Sequence, residues 1–288
     1  MENDSNEKYF ITAKLSAQEI TNGGVVYLLP DVIIKIFTLV ALLFLWRAVM
    51  GAGAGVGAGT GAGMGAGAGT GAGVNVGSNA GADANMNIGQ MLSYAYVSAL
   101  LADMLVVRTA AVGWLSEGVL QKLYGRPLSV LGQLAAQTIG SWGPMLLMFS
   151  VPMAIAAPLL GINLIPASPF FAISLILCVS LGFAIDSLFA CLSLKLRNMS
   201  WLIGRIRMAI ITLLSGTIIP IKLLPFGLAG AFRYQPFASL GGAPLSIFVG
   251  SASAGETLPL QILWNLILWP LALFVFKKSQ ERMVSYGG

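Results

Sequence analysis

Asp103 and Asp186 have the clearest capacity for chemistry in this chain, because each carries an ionisable carboxyl inside an otherwise apolar run. A carboxylate at the centre of a bilayer costs about 2.5–3.5 kcal/mol on insertion scales, and less near an edge. Such a group therefore faces the interior of a helix bundle or is paired. It can line a cation-selective vestibule or carry protons. It can also lock helices together by pairing with Arg108, Arg205 or Arg207, which fall at similar depth, and ion pairing is the preferred reading. Other chemistries find no residues to carry them. Among 288 residues there is no histidine, the commonest general base and metal ligand. Cys178 and Cys191 share one apolar stretch and suit neither a disulfide framework nor a thiolate metal site. No nucleophile–base pair can be identified, so the chain is expected not to be an enzyme and to bind no cofactor or metal itself.

The elements that hold these carboxyls are dictated by composition. Charged residues make up 9% of the chain, against roughly 25% in soluble domains. Hydrophobic residues make up 57%, and the mean hydropathy is +0.83. So few charges cannot cover a water-facing surface, and lipid must be the solvent. Six apolar segments approach the roughly 20 residues a membrane helix needs, at 32–50, 88–108, 134–160, 169–194, 201–220 and 257–276. They do not alternate with polar residues, which excludes barrel strands. All but three of the 16 lysines and arginines (Arg47, Lys222 and Arg233) fall on one face of this arrangement. The positive-inside rule makes that face cytoplasmic and places both termini there. The acidic, polar start Met1-Glu2-Asn3-Asp4-Ser5 does not read as a secretory signal. Between 8 and 20, Phe10, Ala13, Ala17 and Ile20 recur at helical spacing, which predicts an amphipathic helix along the membrane interface. Trp142, Trp201, Trp264 and Trp269 read as interface anchors or packing.

Two stretches interrupt this pattern. From 51 to 73 glycine alternates with Ala, Val, Thr or Met, and asparagine-rich sequence follows to 87. A phosphate-binding loop needs a lysine followed by Ser or Thr, and no basic residue lies between Arg47 and Arg108. Glycine at every second position raises the entropic cost of order, so the tract reads as a flexible external spacer with a reach of roughly 30–35 Å. The second stretch, 221–250, is apolar but broken by Pro225, Pro236, Gly241-Gly242 and Pro244. It suits two short helical pieces that enter the bilayer and return, and broken helices at that depth are tolerated only where protein or a water-filled cavity covers them.

Three local features in this order resemble the type-2 permeases of ATP-binding-cassette transporters, and within them the six-span branch that includes viologen and multidrug export permeases. The loop at 113–133 reads Ser116-Glu117-Gly118-Val119-Leu120-Gln121-Lys122-Leu123-Tyr124-Gly125-Arg126-Pro127-Leu128-Ser129, with Arg-Pro-x-Ser at the family's spacing after the glycine. Relatives commonly carry paired leucines where this chain has Tyr124-Gly125. Ser215-Gly216 followed by Pro220 and Pro225 is similar to the family's break after span five. Pro236-Phe237, Pro244 and Gly250 are similar to its pattern before the last span.

The resemblance implies an all-α polytopic fold: six transmembrane helices, an N-terminal interfacial helix and a re-entrant helical hairpin at 221–250. It also implies a plasma-membrane exporter subunit that moves a small or amphipathic compound outward. ATP and Mg would bind a separate ATPase subunit, and a second permease chain, identical or a sister, would complete the pathway. No nucleic-acid partner is expected. Glu117, Gly118, Val119, Leu120, Lys122, Leu123, Arg126 and Pro127 would couple to the ATPase. Ser215, Gly216, Pro220, Pro225, Pro236, Phe237 and Pro244 would line the pathway or gate. The competing reading is an ion- or proton-coupled secondary transporter built on Asp103 and Asp186.

Overall fold

The computed structural model describes residues 2–23, 25–56, 86–109, 111, 123, 128–196, 199–224 and 228–286. Every regular element among them is helical. Four helices are long and apolar enough to cross a membrane, with spanning segments Leu28–Val49, Val130–Leu160, Phe170–Ser193 and Ala254–Ser279. The first lies in α2 (Val25–Val56), which follows α1 (Glu2–Asn22) after a turn at Gly23. α2 carries on into the first residues of the glycine-rich tract, because adding a residue to a formed helix is far easier than nucleating one.

The second segment is a composite of α5 (Val130–Met145), a π turn at Leu146–Ser150, α6 (Val151–Ala156) and a 3-10 turn at Ala157–Leu160. Its prolines explain the breaks. Pro152 has no N–H to offer Met148, and just before it the ladder widens so that Val151 bonds to Leu146. The third segment is α7 (Phe170–Lys195) and the fourth is α11 (Ala254–Tyr286).

Two segments expected at 88–108 and 201–220 are shorter than the sequence suggests. The first is divided into α3 (Ile88–Leu100) and α4 (Ala102–Leu105), and the chain leaves helix at Val106. The second, α8 (Ser200–Leu214), stops at Leu214 because Gly216 turns left-handed at φ +77°. After it come a 3-10 turn (Ile221–Leu223), α9 (Leu228–Phe232), a second 3-10 turn (Pro236–Ser239) and α10 (Gly242–Phe248).

Side-chain partners give the directions of packing. Ser174, Leu177 and Ser180 on α7 meet Gln261, Asn265 and Trp269 on α11 in the same order, so these helices run parallel. Lys35 meets Asp103 while Leu39, a turn further on, packs with Tyr96 and Leu100, so α2 and α3 run antiparallel. α3 lies at the centre, with Met91, Tyr94 and Tyr96 fully enclosed. Phe37 on α2 and Leu266 on α11 are largely exposed (71% and 68%), as faces turned to lipid would be.

α1 departs from the expected interfacial stripe. Its small residues turn onto α5: the Ala13 backbone lies directly over Gly140, Ser16 donates to the Gln137 carbonyl (3.0 Å), and Tyr9 pairs with Ser129 (3.0 Å). Phe10, expected on the same face as Ala13, points away and is exposed. Close approach at Gly140 needs alanine and serine rather than phenylalanine, which is how helices associate where water provides no driving force.

Candidate functional site

The described residues hold two buried polar clusters, one at each end of the central α3–α4 unit. The inner cluster is built on Asp186 of α7 and Arg207 of α8, whose side chains are 1% and 4% exposed and form an ion pair. Both also grip the chain after α4. The Asp186 carboxylate accepts from the Thr109 N–H (3.1 Å) and from the Thr109 hydroxyl, and Arg207 donates to the Val107 carbonyl (3.1 Å). A helix that ends inside a bundle leaves backbone groups without partners. Here an acid accepts from a free N–H and a base donates to a free carbonyl. Among the described residues the Arg207 Nε has no hydrogen-bond partner.

Asp103 is met by Lys35 of α2 rather than by Arg108, Arg205 or Arg207. The reason is topological: antiparallel α2 and α3 bring residues 68 positions apart together, which no local spacing reveals. The Lys35 ammonium also sits 5.7 Å from the centre of the Phe149 ring, on the π turn. Lys35 is therefore a paired residue within the bundle rather than a free basic group.

The outer cluster forms where α8 ends. Three carbonyls freed by the break are taken up one by one. Ser215 O accepts from Gly242 N–H (2.6 Å), Gly216 O from the Tyr94 hydroxyl (2.5 Å) and Thr217 O from the Ser98 hydroxyl (2.7 Å). Ser215 and Pro220 are buried, as is Pro244 in α10, while Pro236 opens the second 3-10 turn and Phe237 packs partly buried against the main core. Gln261 on α11 ties this segment to α7, donating to Ser239 O (2.8 Å) and Ser174 O (3.2 Å) and accepting from the Ser174 hydroxyl (2.8 Å). Gln90 donates to Val249 O (3.1 Å) and Ala167 N–H to Phe248 O (2.8 Å), so the segment's far end returns to the start of α3 and the approach to α7.

Glu117, Gly118, Val119, Leu120, Lys122, Arg126 and Pro127 lie outside the described residues, as do Pro225 and the glycine-rich tract from 57 to 85. Leu123 is described, and its side chain is turned into the bundle against Ala111, Leu134, Ala190 and Phe276. Its carbonyl accepts from Gln133 (3.1 Å). Leu123 is thus part of the packed bundle.

Sequence reasoning gave no site role to Lys35, Tyr94, Ser98, Thr109 and Gln261, and read Gly242 only as a break in the apolar segment. Each is an ordinary residue on an apolar helix or turn until its distant partner is known.

Residues 85–287 match the family model described as ABC-2 family transporter protein, which is well over half of the chain. The chain belongs to the ABC-2 transporter family. Neither the curated proteins nor the solved structures compared with it include a match. Both polar clusters of this ABC-2 protein fall within the matched residues, whereas α1, α2 and Lys35 precede them. An ABC-2 transporter is a membrane protein, as its four long apolar helices require.

Proposed function

We propose that this chain is the permease subunit of an ATP-driven exporter, of the six-span branch, with ATP hydrolysed by a separate subunit and no catalytic chemistry of its own. The observation that carries this reading is the family match over residues 85–287, which covers the loop at 113–133 and the outer cluster together. In this reading α3–α4 and α8 are short spans that complete a six-helix set, and both termini are cytoplasmic in the plasma membrane. The 221–250 segment enters the bilayer from outside and returns. Support for that comes from contacts at two depths: Leu240 and Leu245 pack in one core with Leu105 and Leu181, while Lys222 reaches the Ser251 carbonyl at the segment's ends. A second permease chain faces the first, and two ATPases dock on the cytoplasmic loops. Pairing of both intramembrane carboxylates with basic residues favours ATP drive over ion coupling.

Docking is tested by purification from native membranes. The full chain is expected to bring down an ATP-binding-cassette ATPase whose hydrolysis rises in the complex. Leu120→Asp should release it with the permease still inserted, because charge at a buried apolar contact opposes association. A Leu120→Asp variant that keeps a fully stimulated ATPase would remove the loop from the interface.

Orientation is tested by labelling single cysteines in intact cells with a membrane-impermeant reagent. A cysteine in place of Thr60 is expected to react, and one in place of Glu7 only after the cells are opened. Reversed labelling would overturn the orientation and export with it.

A further inference from the structure

We propose that Asp186 and Arg207 are positioning residues that clamp the chain where it leaves α4, and so fix the path by which it approaches the loop at 113–133. The function assigned to that loop rests on the permease reading. The clamp itself does not.

An ion pair that only tied α7 to α8 would need no third element. This one also bonds to a neighbouring stretch of backbone through both partners. Thr109 offers Asp186 its amide (3.1 Å) and its hydroxyl, and the same hydroxyl accepts from the Ala111 N–H (3.2 Å). The carbonyl of Val107 faces Arg207 at 3.1 Å. Donor and acceptor are thus matched in sense as well as place: the acid sits where the chain presents N–H and O–H, and the base where it presents C=O. With side chains 1% and 4% exposed, the two charged groups are themselves shielded from solvent. Because α8 also carries Ser215 to Thr217 at its far end, the helix that holds the loop's approach abuts the outer cluster through Tyr94 and Ser98.

Sense of charge separates a clamp from a simple ion pair. Exchanging the two residues (Asp186→Arg with Arg207→Asp) keeps opposite charges together but presents an acid to the Val107 carbonyl and a base to the Thr109 amide. Amide hydrogen exchange on the purified full chain in nanodiscs reads the result. Asp186→Leu is expected to raise exchange of the peptide spanning 106–111 at least tenfold, with 170–185 and 258–275 exchanging as in the parent. The exchanged pair should leave 106–111 equally unprotected, and Asp186→Glu should restore most of the protection. Should Asp186→Leu fail to fold, Thr109→Val keeps the ion pair and is expected to raise exchange several-fold in the same peptide alone. Parent-like exchange at 106–111 in Thr109→Val, or protection regained in the exchanged pair, overturns the clamp. Neither measurement needs the ATPase, so loss of the clamp and loss of the permease reading are separate results.

Discussion

Arg207→Met is expected to destabilise the protein by about 3–5 kcal/mol, and adding Asp186→Leu to it should cost clearly less than the sum of the two single losses. Removing the guanidinium leaves the Asp186 carboxylate enclosed, with Thr109 as its only named partner among the described residues. An enclosed charge without its counter-ion cannot regain the hydration it gave up on folding. Replacing both groups by apolar side chains removes the unpaired charge, and what remains is the cost of leaving Val107 O and Thr109 N–H without partners, about 1–3 kcal/mol each at most. The measurement is a double-mutant cycle on unfolding free energy in detergent, with Arg207→Met, Asp186→Leu and the pair. Simple addition of the two single losses would show that the residues do not act on one another and would contradict the ion pair. Lys35 and Asp103 provide the contrast. Their side chains are 20% and 23% exposed, so a broken pair there keeps access to surrounding polar groups and should cost less.

What the sequence made legible follows from the range of each interaction. Long apolar runs identify α2, α5–α6, α7 and α11 because crossing a bilayer is a requirement on consecutive residues, satisfied segment by segment. The ends of α4 and α8 depend on something else. Nothing between Val106 and Arg108 forbids helix; the chain leaves it where Asp186, 77 residues on, and Arg207, 100 residues on, take up its backbone groups. The stop at Leu214 was half legible, since Gly216 and Pro220 advertise a break. The groups that make the break tolerable, Tyr94 and Ser98, lie 122 and 119 residues away from their partners. The same holds for Asp103. Depth alone offered it three arginines, and chain direction gave it a lysine on another helix. Leu123 is a further case: its packing in one cluster with Ala190 and Phe276 joins residues far apart in the chain, which the loop's own sequence does not reveal.

Gly216→Val is expected to cost about 2–4 kcal/mol and to disorder the outer cluster without touching a charged residue. Two effects add. At φ +77° any side chain strains the backbone, by roughly 1–2 kcal/mol, and a β-branched one more than alanine. A Cβ there would also lie 3.0 Å from Ile221 Cγ1 and 3.3 Å from Gly242 Cα, and the second of these is backbone that cannot swing aside. Pushing Gly242 away lengthens its bond to Ser215 O and tilts the carbonyls that Tyr94 and Ser98 hold. Gly161 separates the two effects, because it has nearly the same angle (φ +69°) but no heavy atom within 4 Å of its Cβ position. Gly161→Val should therefore show the backbone strain alone. Unfolding free energies of the two variants, with hydrogen exchange of 214–222 and 238–250, read the difference. Gly216→Val should lose more stability than Gly161→Val and raise exchange in both outer peptides. Equal losses with both peptides still protected would mean that the contact between Gly216 and Gly242 does not hold the outer segment in place.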